Sequence, residues 1–233
     1  HINHIDPIQF RAQLDFSAES EGFLSRDEFE NSIVSGINIP GFVLSFDDGL
    51  GDHYKYVLPE LKKRGLWGLF YIPTGGVFSV EKKLLGVHRV HYLKGRYGAS
   101  EILDRAKKII QSNFIDEDAV KFFNKYVYKH QETNASEVSL KKLFNYFISY
   151  KHRDFILDAL MEEYFDEKHL WEKVYLSIQE IKEISNSGSI IGAHTVTHPV
   201  LSRLDKAQQF IEIKHSFDAL EGITGVKERY FSY

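Results

Sequence analysis

Phe42-Val43-Leu44-Ser45-Phe46-Asp47-Asp48-Gly49, residues 42–49, is an apolar run that ends on two adjacent carboxylates and a glycine. A short apolar run closed by turn residues predicts a buried strand followed by a turn. Downstream, Asp52 is placed to cap a helix whose Val57, Leu58 and Leu61 share one face, and Gly65 ends it. Leu66 to Ile72 is a second apolar strand, closed by Pro73-Thr74-Gly75-Gly76. Strand, helix, strand at this spacing predicts a βαβ unit and therefore a parallel sheet. Upstream, Asp6-Pro7 predicts a helix start, and Ser25 with Glu28 predicts a capping box for a short helix that ends near Gly36.

Beyond Gly76 the pattern changes. From about Val77 to Tyr175 there is almost no alternation of period two. Helical stretches are predicted instead over Ser100 to Asn113, Asp116 to His130, Ser136 to Tyr150 and Arg153 to Lys168. Seventeen of the 33 aromatic residues fall in this span, which suits either the core of a small helical subdomain or an exposed aromatic surface. The α/β pattern then returns. Ser177 and Glu180 form another capping box, and Gly188 ends that helix. Ser189 to Ala193 predicts a short strand, Ser202 to about Leu220 a long helix with Asp205 in its first turn, and Arg229 to Tyr233 the start of another strand. The expected organisation is an α/β body over residues 1–76 and 176–233, with a helical insertion over residues 77–175.

Composition narrows the classes. The chain has 233 residues, 29 Lys+Arg against 33 Asp+Glu, and 43% hydrophobic residues. This is ordinary globular usage, and the acidic balance argues against a nucleic-acid partner. No apolar run reaches the ~18 residues needed to span a bilayer. Cysteine is absent, which excludes disulfides, thiolate catalysis and Cys-ligated zinc. The sequence opens on His1, shows no signal peptide, and closes within a predicted strand. The expectation is a fragment at both ends, from either a bacterial cytoplasm or the cell envelope.

The residues able to do chemistry are few. Asp47 and Asp48 stand at the C-terminal end of a buried strand, where ligand sites gather in parallel α/β folds. Adjacent side chains point in different directions, so one can bind a cation while the other moves a proton. The structural alternative is a turn or cap before Gly49. His194-Thr195-Val196-Thr197-His198-Pro199 places two histidines four apart, after one predicted strand and before a helix. Neutral imidazoles suit zinc, nickel, cobalt or iron. Asp48, His194 and His198 would make a two-His, one-carboxylate site with open positions, a catalytic layout rather than a closed structural one.

These stretches resemble the polysaccharide deacetylase family, also called carbohydrate esterase family 4 or the NodB-homology domain. Ser45-Phe46-Asp47-Asp48-Gly49 is similar to its first motif, usually written with Thr in place of Ser45. His194 to Pro199 is similar to the second. Leu69 to Gly75 resembles the strand and turn after the first motif, Gln9 to Leu14 the N-terminal helix, and Phe231-Ser232-Tyr233 the opening of the third motif. The resemblance covers residues 7–76 and 176–233. It implies a distorted (β/α) barrel of about seven strands, incomplete in this chain. It also implies Asp47 as base, Asp48, His194 and His198 as ligands of a divalent metal, zinc by default, and a metal-activated water as nucleophile. A backbone N–H at or near Tyr233 would serve the oxyanion. The substrate implied is an N-acetylated or O-acetylated sugar of a polysaccharide or surface glycan.

The departures keep other readings open. Ser232 stands where the family usually carries an Arg that orients the base, and no residue is assigned as general acid. Alternatives are a hydrolase of another small amide, a metal- or glycan-binding relative without turnover, and an interaction module built on the insertion, a homo-oligomer among its forms. His88 and His91 are expected as ordinary polar residues at the base of the insertion. Asn134-Ala135-Ser136 matches a glycosylation sequon but is expected to cap a helix. Asp52 and His53 are candidates to line the cleft. His215 is given no role.

Overall fold

The computed structural model describes residues 6–128, 134–163, 165–227 and 229–233. Three strands pair in parallel in the order β1 (Ser45–Phe46), β2 (Leu69–Ile72), β3 (Ile190–Ala193). Ser45 pairs with Leu69, and Leu69 through Ile72 pair with Ile190 through Ala193. Phe231 adds one parallel bridge to Ala193. Among the described residues this is an open three-stranded parallel sheet, short of the expected barrel of about seven strands. The segment expected as a strand over Arg229 to Tyr233 contributes that single bridge, so nothing here closes the sheet on itself.

The contacts divide the chain into two compact units. One gathers Ser79–Glu172 and Thr197–Gln209; the other gathers the segments up to Phe78, Lys173–Val196 and Phe210–Tyr233. In the α/β unit the core is built on Leu58, Leu61, Phe70, Ile72, Val77, Leu176, Ile181, Ile184, Ala193, Leu220 and Ile223. Its helices start where the sequence marks them. Asp6 accepts from the Ile8 and Gln9 amides to open Pro7–Glu19. Ser25 with Glu28 opens Arg26–Ser35, ended by left-handed Gly36, and Ser177 with Glu180 opens Ile178–Asn186. Asp52 does not cap. Its backbone is already helical, and the chain winds through a π turn, His53–Val57, into Leu58–Arg64. Pro59, with no N–H to give, stands one residue beyond that wider turn, after Leu58. Trp67 donates its indole N–H to the Leu24 carbonyl at 2.8 Å and packs on Phe29.

The helical unit consists of short segments. Gly86–Tyr97 is a helix the sequence pattern does not announce, and it buries Gly86, His88, Arg89, Val90 and Leu93. The stretch expected as Ser100 to Asn113 is Ala99–Ile109 followed by a tighter turn, Ser112–Phe114. Asp116 caps Glu117–Phe123; the expected end at His130 lies outside the described residues. Ser136 to Tyr150 is not one helix. Ala135–Lys142 passes through a π turn, Leu143–Phe147, and Ile148 then turns extended to bridge Ile115. Asn134 caps Ala135–Lys142, as expected of the sequon. Arg153 to Lys168 is likewise two helices, Tyr150–Glu162 and Glu167–Val174. The long helix expected from Ser202 begins at Lys206 and runs to Thr224, after a separate turn at Leu201–Arg203. Asp205 is its cap, exchanging bonds with Gln208, rather than part of its first turn. Lys82 lies over the Trp171 ring, 5.3 Å from its centroid.

Candidate functional site

Two carboxylates leave β1 in different directions because the backbone changes hand between them. Asp48 and Gly49 are both left-handed, with φ of 76° and 61°. Asp is among the few side chains that tolerate this region. A Cβ at Gly49 would already press on Ile72 Cγ2 at 3.0 Å. Asp48 Oδ1 lies 3.7 Å from His194 Nε2. Asp47 is solvent-exposed and acts electrostatically on Tyr71, the residue one beyond the Phe46–Phe70 pairing. Burial holds the Tyr71 phenol above the ordinary tyrosine range, with the Asp47 carboxylate and Tyr230 adding to it. Gly192, paired with Tyr71, leaves space for that ring, since a Cβ there would meet it at 2.5 Å.

His194 follows directly from β3 and is buried, 5% exposed. Its Nδ1 is 2.7 Å from the Ser232 carbonyl. A carbonyl only accepts, so Nδ1 carries the proton and Nε2 is the lone-pair nitrogen facing Asp48. Ser232 thus contributes its backbone and fixes a tautomer. Thr195 and His198 are left-handed, at φ 63° and 56°. For non-glycine residues such backbone costs on the order of 1–3 kcal/mol each and persists only where the surroundings enforce it. They do so here. Thr74 and Gly75 amides donate to the Thr195 and Val196 carbonyls at 3.1 and 2.8 Å. Glu212 Oε2 accepts from the Val196 N–H at 2.8 Å. Gly75 has to be glycine, because a Cβ would stand 2.6 Å from the Val196 oxygen.

Asp48, His194 and His198 each offer one ligand atom, and these atoms lie within 4.8 Å of one another. A carboxylate and two imidazoles at such separations suit a divalent transition metal and leave positions open. His88 and His198 have ring centroids 6.4 Å apart, and His88 is buried. His91 is half-buried, and His215 is exposed. Asp52 is exposed, whereas burial pushes the His53 imidazole down to about 4, with Asp48 and then Asp52 opposing that shift. The Tyr233 side chain is 84% exposed and stacks on Phe231. The Ser232 carbonyl, Glu212 and Tyr71 were not singled out in the sequence, where nothing marks an isolated backbone carbonyl or a lone Glu in a helix.

Comparison with known proteins gives the context. Residues 150–233 match the family model described as polysaccharide deacetylase. The match covers just over a third of the chain. It contains His194 and His198, whereas Asp47 and Asp48 lie outside it. Two solved structures share the fold. "Streptococcus pyogenes deacetylase PplD in complex with acetate" is 18% identical with a TM-score of 0.51, covering 100% of this chain and 65% of its own. "Structure of IcaB from Ammonifex degensii" is 19% identical with a TM-score of 0.52, covering 98% of this chain and 66% of its own. The chain therefore spans just under two thirds of each. A search of curated proteins by sequence finds no match. No helix among the described residues is long and apolar enough to cross a membrane.

Proposed function

We propose that the protein is a metal-dependent hydrolase that removes acetyl groups from acetylated sugars of a polysaccharide or surface glycan, N-acetyl groups foremost. The observation that carries this is the grouping of Asp48, His194 and His198 beside Asp47. The family match over residues 150–233 supports the substrate class. The likeness in fold to a solved deacetylase over the whole chain agrees with it.

Asp48, His194 and His198 would hold the metal, zinc by default for this donor set. When bound, such a cation acidifies water and polarises an acetamide carbonyl. The chain's own groups do the rest. Asp47 stays outside the ligand set and takes the proton of the attacking water on its carboxylate. The water oxygen bonds to the acetyl carbon, the C–N bond breaks as the proton taken from water is passed on to the leaving nitrogen, and acetate and a free sugar amine leave. Ser232 keeps Nδ1 of His194 protonated, so that Nε2 stays available as a donor. A backbone N–H near Tyr233 would receive the developing oxyanion.

The test is acetate release from N-acetylglucosamine oligomers by the zinc- or cobalt-loaded protein. Chelation should abolish it and re-addition should restore it. Asp47→Ala should lower turnover by about 10²–10⁴-fold with metal content unchanged. Metal bound in full without any acetate release would sink the deacetylase reading and favour a binding protein.

A further inference from the structure

The loop that carries His198 is fastened at a second point. Val200, two residues on, donates its backbone N–H to the Tyr150 hydroxyl at 2.8 Å. The same hydroxyl donates to the Asn145 carbonyl at 3.5 Å, so both its capacities are in use. The Tyr150 ring lies against two guanidinium groups. Arg153 lies 4.5 Å and Arg203 4.7 Å from its centroid. Neither arginine is loose. Arg153 is buried, and Arg203 donates to the Asn145 and Ile148 carbonyls at 3.2 and 2.9 Å and pairs with Asp116. A ring in contact with two anchored cations carries a hydroxyl fixed in position.

His198 needs such a fixture. Its left-handed backbone is unfavourable for a histidine. Pro199, with its locked φ, separates it from Val200 and transmits the restraint. We infer that Tyr150 is a positioning residue for His198: by holding the Val200 N–H it fixes the strained end of the loop and presents the imidazole as a ligand. This rests on the metal reading above.

The experiment measures Co(II) affinity of the full chain by chelator competition, with the Co(II) absorption spectrum and metal-free Tm recorded alongside. Tyr150→Phe keeps the ring and removes only the hydroxyl. Val200→Pro removes the donor at a residue whose φ of -73° already suits proline. Each should weaken Co(II) about 10-fold, the low end for groups that act through a ligand rather than as one. The double variant should lose the same ~10-fold, not ~100-fold, because both changes cut one bond. Tyr54→Phe, which removes a phenol bond to Glu183 within the α/β unit, is the matched control and should leave affinity unchanged. Unchanged affinity in both single variants, additive losses in the double, or a fall in metal-free Tm with no change in affinity would each overturn the inference alone. Absence of Co(II) binding by the wild-type chain would overturn the metal reading and this inference with it.

Discussion

The α/β unit and the helical unit bury polar groups by opposite means. Around β1, β2 and β3 the core is apolar, because paired strands satisfy their own amides and carbonyls. The helical unit is made of short segments, and every helix end leaves carbonyls or amides to be satisfied from elsewhere. Arginines meet that need. Arg203 takes the Asn145 and Ile148 carbonyls where a π turn ends. Arg89, its side chain 3% exposed, grips Glu167 with bonds of 2.6 and 3.1 Å and reaches Asp158 at 3.1 Å. The lesson is that a sheet can carry a site on an apolar base, whereas a cluster of short helices needs buried charge to be well ordered.

The sharpest way to break this contrast is Arg89→Met. It should cost about 3–5 kcal/mol in urea unfolding, because the largely desolvated Glu167 loses its cation and keeps only the Leu84 N–H. Replacing Glu167 by Leu as well should recover most of that loss. A single variant within about 1 kcal/mol of wild type would mean that the ion pairs do not hold the helical unit together. Gly75→Ala probes the other side. The added methyl meets a backbone oxygen, so a loss of about 1–3 kcal/mol is expected, with Co(II) affinity falling as the His194–Val196 segment shifts. The smallest effect is on pH dependence. His53 has its folded pKa lowered from 6.5 to about 4. The unfolded chain therefore binds the extra proton first as the pH falls. Stability from this group is complete above pH 6.5 and is lost as the pH falls toward 4. The metal-free protein should show a slope below about 1.4 kcal/mol per pH unit in that window, flattened in His53→Gln.

The same contrast decides what the sequence makes legible. Ser25 with Glu28, Ser177 with Glu180 and Asp6 before Pro7 mark helix starts through local bonds, and all three form. The strands are visible as apolar runs, and the Asp48, His194 and His198 grouping follows from where those runs end. Gly86–Tyr97 is hidden because its buried face carries His88 and Arg89, which erase the apolar period. Residues 136–150 were expected as one helix because nothing local announces that Ile148 will leave to bridge Ile115. The supports of the histidine loop are illegible for a related reason. Ser232 acts through a carbonyl, and Tyr150 and Glu212 act on backbone N–H groups that every residue has.

The chain has two tryptophans, and each unit holds one. Trp67 is hydrogen-bonded inside the α/β unit, and Trp171 sits under Lys82 in the helical one. Replacing either by Phe leaves a single native fluorophore, so emission can follow the melting of one unit at a time. Two such single-tryptophan proteins, titrated with urea side by side, would reveal whether the halves come apart together or in sequence.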